Sequence, residues 1–185
     1  MRTGMQLFEQ RGFRETTIQD ICDAVGVTKG AFYYHFASKE ELLMEIHQRY
    51  IDGLLQDQAR ILASSDPPSE KILHIMELLM ESIGTNRASA KIFFAELRQL
   101  GQERLQTITK KRLQFRKTLE LVVHQGIDDG TFLRDLDAKL ITMGILGMTN
   151  WSYQWFQPGG SMDAKAVAAI FHRLAMAGIL SDEGR

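Results

Sequence analysis

The stretch LFEQRGFRETTIQDICDAVGVTKGAFYYHFASKEELLMEI, Leu7 to Ile46, holds four helix-forming segments parted by glycine or by a capping hydroxyl. Leu7 and Phe8 lie on a first short helix that ends at Gly12, a residue free to adopt the left-handed backbone that closes helices. Thr16 or Thr17 is placed to cap a second helix, Ile18 to Ala24, which stops at Gly26. A third starts at Thr28 and carries Ala31, Phe32, Tyr33 and Tyr34. A fourth opens at Ser38, with Glu41 three residues on as in a capping box. Two short helices joined by a tight turn at Gly26-Val27 have the geometry of a helix-turn-helix. Ile21, Ala24, Val25, Val27 and Phe32 are spaced to hold the two at their crossing angle. Thr28, Lys29, Gly30, Tyr33, Tyr34 and His35 are left to face outward. They offer hydroxyl donors, an ammonium, aromatic planes and one small residue, which suits phosphates and base edges.

Helical signals continue to the end of the chain. The fourth helix runs to about Leu62, Pro67-Pro68 breaks the chain, and Ser69 can cap a fifth with the stripe Ile72, Ile75, Met76, Leu79, Met80 and Ile83. A sixth follows Asn86, a long seventh spans about Gln102 to Ile127, an eighth about Asp137 to Phe156, and a ninth about Met162 to Leu180. No stretch alternates apolar and polar residues as a half-buried strand does, so the expected fold class is all-α with about nine helices. The expected division is a helix-turn-helix head over residues 1–46 and a second helical part over 47–185.

Composition excludes several classes. The chain has 185 residues, a formal net charge of −1 and one cysteine, Cys22, so no internal disulfide can form. No basic head followed by an apolar run marks a leader, and a reducing cytoplasm is the expected setting. The long uncharged run between Lys139 and Asp163 is interrupted by polar residues and Pro158-Gly159-Gly160, which leaves too short an apolar segment for a membrane span. Charge is unevenly spread: residues 1–50 carry six basic and seven acidic side chains, whereas 86–117 carry nine and two. With so neutral a head, DNA binding should rest on placement rather than bulk attraction, Arg11, Arg14, Lys29 and Lys39 sharing the DNA side.

The same forty residues closely resemble the DNA-binding domain of TetR-family transcriptional repressors. The match lies in Leu7-Phe8, Gly12-Phe13, Thr16-Thr17-Ile18, Ile21, Gly26-Val27, Gly30, Phe32-Tyr33, His35-Phe36 and Lys39-Glu40-Glu41-Leu42. The resemblance implies a homodimer on a palindromic double-stranded DNA operator, released by a small lipophilic ligand held in the helical core. It implies recognition-helix contacts by Thr28, Lys29, Tyr33, Tyr34 and His35, with Gly30 allowing close approach. Thr17 and Lys39 would meet phosphates from the flanking helices. The sequence begins almost inside the first helix, without the basic arm common in the family, so either the chain is clipped or DNA affinity rests on fewer charges.

The expected sensor lies in the second half. Its candidate lining is Met76 and Met80 on the fifth helix, Phe93, Phe94 and Leu97 on the sixth, and Phe115 and Leu119 on the seventh. The eighth adds Met143, Gly147, Asn150, Trp151 and Trp155. Methionine and glycine suit a cavity that deforms around an apolar ligand. The segment from Gly147 to Phe156, followed by Pro158-Gly159-Gly160, resembles regulators of fatty-acid and sterol catabolism that respond to acyl-CoA thioesters. Arg112 and Arg116, one turn apart, would then bind the CoA phosphates. A drug-sensing regulator of an efflux gene is the alternative, and it would want acids or an aromatic cage in the pocket. For a dimer interface the expected residues are Ile145 and Ser152 on the eighth helix with Val167, Ile170, Phe171, Leu174 and Gly178 on the ninth. His74 with Glu70 and Glu77 is thin for a metal site. No nucleophile-base-orienter set appears, so no catalysis and no cofactor are expected.

Overall fold

The computed structural model describes residues 1–181. Its helices are α1 Arg2–Arg11, α2 Ile18–Val25, α3 Lys29–His35, α4 Lys39–Ala63, α5 Pro68–Thr85, α6 Arg87–Ala95, α7 Gln102–Asp128, α8 Ala138–Trp155 and α9 Ala164–Ile179. The fold is all-α: among the described residues the sole extended pairing is one antiparallel bridge, Phe132 to Leu180. A 3-10 turn, Leu97–Gln99, follows α6, where a continuous helix was expected; the backbone leaves helical geometry at Glu96 (φ −102°, ψ 10°). Two compact units result, one of residues 1–52 with 86–110, the other of 53–85 with the chain from Lys111 onward. No described helix is long and apolar enough to cross a membrane.

In the first unit α1 lies tightly on α4, since a Cβ on Gly4 would come within 2.8 Å of Leu42. Thr17 caps α2 reciprocally: its hydroxyl accepts from the Asp20 amide at 3.1 Å, while the Asp20 carboxylate accepts from the Thr17 hydroxyl and amide. Those two bonds hold the Asp20 carboxyl below the usual carboxylate range. Because the value is depressed in the fold, this stabilisation is present above the ordinary aspartate pKa and is lost as pH falls through the lowered one. Gly26 closes α2 in the left-handed region at φ 76°, and Thr28 caps α3 by accepting from the Ala31 amide. Ile21, Cys22 and Phe32 are buried, but Ala24, Val25 and Val27 are exposed, Val25 at 48%. The helix-turn-helix core is thus smaller than its apolar residues suggested. An eight-residue helix has one inward stripe, and Val25 and Val27 flank the glycine outside it. Farther along, Phe93 packs on Tyr50, Phe94 and His47 with centroids 4.8 to 5.5 Å apart.

In the second unit the stripe from Ile72 to Ile83 on α5 is buried, and α8 and α9 pack against it. His172 lies 3.0 Å from the Ser69 carbonyl and Lys165 3.6 Å from Glu81, which makes α9 antiparallel to α5. The inward face of α8 is Ala138, Thr142, Ile145, Thr149 and Ser152. Gln58 donates from its buried amide to the Phe115 carbonyl at 2.9 Å. His74 pairs with Asp66 at 3.4 Å, not with Glu70 or Glu77.

Candidate functional site

Helix α3 is seven residues long and buries one of them, Phe32. Lys29, Gly30, Tyr33, Tyr34 and His35 are exposed around the rest, as is its cap Thr28, and Tyr34 stands 85% exposed. Holding a tyrosine this far out of a packed head forgoes burial that would otherwise stabilise the fold, as expected of a surface made for contact. The edge of Tyr34 meets the His35 ring at 5.1 Å, which stiffens the pair. Thr28 keeps its hydroxyl proton for an outside acceptor, because its oxygen is the accepting partner in the cap.

Three expected DNA-side residues are engaged within the protein. The Lys39 ammonium donates to the carbonyls of Phe13 at 2.7 Å, Thr16 at 2.6 Å and Arg14 at 3.3 Å, and lies 4.4 Å above the Phe13 ring. An ammonium has three donors, so none remains for a phosphate in this arrangement. Partial burial accordingly lowers its pKa. Thr17 likewise gives its hydroxyl proton to Asp20. Arg14 donates from Nε to the Gln99 side chain at 2.9 Å. In this arrangement Lys39 and Thr17 are both bonded within the first unit, on the path that leads into α2 and α3.

The residues expected to line a ligand pocket divide into three groups. Phe93, Phe94 and Leu97 belong to the first unit. Met76, Met80, Phe115 and Leu119 are buried in the second. Met143, Gly147, Asn150 and Trp151 do come together, with Leu146 and Tyr153, but in an open groove of about 360 Å³ on the outer face of α8. This corrects the expected place of those four: Met143 is half-exposed and Trp151 62% exposed, because the inward face of α8 is taken by its small residues and hydroxyls. Trp155 lies outside the groove with its edge toward Phe171, centroids 6.3 Å apart. On α7, Arg112 and Arg116 are half-buried; burial lowers the Arg112 pKa, and the Arg116 Nε is buried without a hydrogen-bond acceptor. The two arginines stand one turn apart on the same helix.

The expected dimer residues separate by face. Ile145, Ser152 and Val167 are buried inside the second unit and are corrected to core. Ile170, Leu174 and Gly178 are exposed on α9, Leu174 at 61%, and Phe171 is half-buried beside them. Ile170 and Leu174 stand one turn apart on α9, and Leu140, Met143, Gly147 and Trp151 form an outer stripe on α8. Leu140 went unassigned in the sequence, although its spacing from Met143 and Trp151 marks a second apolar face on one helix. So much clustered apolar surface marks an interaction site.

A family model described as bacterial regulatory proteins, tetR family, matches residues 1–46, and one for the tetracyclin repressor-like C-terminal domain matches residues 65–179. The chain is 33% identical over 177 residues to the transcriptional repressor KstR2 of Mycobacterium tuberculosis, across 95% of this chain and 88% of that protein. The solved ketosteroid transcriptional regulator KstR2 of that organism superimposes with a TM-score of 0.91 at 32% identity, covering 98% of this chain and 93% of the other. A complex of AibR with isovaleryl coenzyme A and operator DNA superimposes with a TM-score of 0.83 at 25% identity, covering 93% of each chain.

Proposed function

Because the chain belongs to the TetR family of bacterial regulatory proteins, we propose that it is a transcriptional repressor acting as a homodimer on a palindromic operator. A small lipophilic effector, best exemplified by an acyl-CoA thioester, releases it, and its target genes serve fatty-acid or sterol catabolism. Residues 1–46 form the reading head, and residues 47–185 bind the effector and the second subunit. The observation that carries the reading is the bare outward face of α3, above all Tyr34. Thr28, Lys29, Gly30, Tyr33, Tyr34 and His35 enter the major groove, α2 crosses the backbone beside it, and two heads address half-sites about one helical turn apart.

Release follows from linkage: an effector that binds better to the splayed dimer draws the population away from the DNA-bound form by its differential affinity. The α8 groove accepts the apolar part of the effector, with Met143 and Trp151 against it and Asn150 as the polar contact. Arg112 and Arg116 take the phosphates. No carboxylate lines the groove, so a cationic drug would meet no counter-charge there. KstR2, named as a ketosteroid regulator, and AibR, bound to an acyl-CoA, lend support from relatives.

The test begins with a duplex selected from a random pool by the wild-type protein. Tyr34→Ala should weaken binding to it by roughly a hundredfold while dimer mass and melting temperature hold, because an exposed side chain holds up nothing in the fold. Equal loss of stability would make Tyr34 structural. For the effector, melting temperature is followed with fatty acyl-CoA thioesters and the matching free acids. Arg116→Ala should remove most of the preference for the thioester, about tenfold for one charge-assisted contact. An unchanged preference would take Arg116 out of the phosphate site.

A further inference from the structure

Adjacent residues at the start of α4 grip different parts of the first unit. Lys39 holds the α1–α2 turn by the carbonyls of Phe13, Arg14 and Thr16. Glu40 accepts from the Gly101 amide at 2.9 Å, at the entrance to α7, and pairs with Arg104 one turn inside it at 3.5 Å. The link between α6 and α7 reaches back to the same turn: the Glu96 carboxylate accepts from the Phe13 amide at 3.3 Å, and the Gln99 side chain accepts from Arg14. Together these contacts close a ring. It passes from α4 through Lys39 to the α1–α2 turn, through Glu96 and Gln99 to the link after α6, and through the α7 entrance and Glu40 back to α4. The turn held on both sides is the one that leads into Thr17, the cap of α2.

We infer that Glu40, Glu96 and Gln99 are positioning residues for DNA reading, fixing α2 and α3 through a polar ring closed by the segment from Asn86 to Lys110. This rests on the repressor reading above and deepens it: the head is completed by residues far outside 1–46. Helix α7 then runs unbroken from Arg104 to Arg112 and Arg116, so the strut that closes the ring also bears the arginines assigned to the effector. The two carboxylates make the inference sharp, because near DNA the two effects of removing one have opposite signs. Losing a negative charge tightens binding to any phosphate backbone, whereas losing a positioning contact weakens binding to the chosen sequence alone.

The test uses the full-length protein with the duplex it selects and a scrambled duplex of equal length, over a range of salt. Glu40→Gln and Glu96→Gln should each weaken the selected duplex roughly tenfold, the scale of a lost hydrogen bond to a charged group. They should leave the scrambled duplex unchanged or slightly tighter, with the same melting temperature and dimer mass. The double variant should lose less than the product of the two, since both cut one ring. Unchanged or tighter binding to the selected duplex by both would overturn the inference, and so would equal losses on both duplexes. If Glu96→Gln fails to fold, Gln99→Ala, which frees only Arg14, carries the same test. Lys39→Gln should weaken the selected duplex at an unaltered salt slope; a shallower slope, by about one per head, would place Lys39 on a phosphate and break the ring. Failure of the wild type to select any duplex would overturn the repressor reading as well as this one.

Discussion

Leu174→Glu should turn the protein into a monomer of 21.1 kDa that still folds and no longer holds its operator. Leu174 stands 61% exposed at the middle of α9, with Ile170 exposed one turn before it on the same face. Leaving that surface in water costs about 25 cal/mol for each Å² of apolar area, which a second copy of the face removes. Under two-fold symmetry the substitution acts twice, burying two carboxylates on apolar ground. A loss of about 4 kcal/mol is expected, which raises the dimer dissociation constant about a thousandfold. Nothing in the head changes, so a single head should keep its weak affinity for one half-site. The full operator should lose the gain that comes from tethering two heads. Sedimentation and operator titration over a range of protein concentrations read both effects. A variant that sediments at twice the chain mass would place the interface elsewhere.

The helices were legible because their ends are marked by local chemistry. Thr17, Thr28, Asp137 and Asp163 each accept from an amide three residues on, and Gly26 closes α2 in the left-handed region. Such signals act within a few residues and need no knowledge of the fold. Which face of a helix meets which partner is a different kind of information. On α8 both faces are apolar enough to be core, and the one with hydroxyls proved to be the inside: Thr149 and Ser152 bond back to carbonyls of their own helix and so cost little to bury. The bulkier stripe with Met143 and Trp151 looked more like a pocket and lies outside. Lys39 shows a second limit. A lysine at the start of a helix beside a DNA-reading element reads as a phosphate contact, and only the fold reveals three carbonyls within its reach. The ring through Glu40, Glu96 and Gln99 had no sequence signal, since these three lie 61 to 85 residues from their hydrogen-bond partners in the chain.

The substitution with the largest expected cost to the fold is Gly126→Ala, in the last turns of α7. Helix propensity alone favours it, by about 1 kcal/mol for alanine over glycine in a helix interior. Packing opposes it. A Cβ at this position would stand 2.3 Å from two carbons of the Phe132 ring, far inside contact distance. Phe132 has no room to retreat: it is fully buried, and its amide donates to the Gly126 carbonyl at 2.7 Å. The residues beside it tie down the end of α9, with the Leu133 amide on the Ile179 carbonyl and the Ser181 amide on the Thr131 carbonyl. Either the ring leaves its site, at the roughly 3 to 5 kcal/mol of a lost core phenylalanine, or α7 and the turn move apart and those bonds stretch. The net expectation is a loss of about 2 to 4 kcal/mol, a fall of roughly 5 to 15 °C in melting temperature for a chain this size. Gly53→Ala, in a helix with nothing within 4 Å of the new methyl, should instead raise stability by up to about 1 kcal/mol. The opposite signs separate packing from propensity in one pair of melting curves, and equal shifts would mean that Phe132 yields its place freely. If the ring does leave, the end of α9 loosens with it, so Gly126→Ala should also weaken the dimer, with every residue of the outer face still in place.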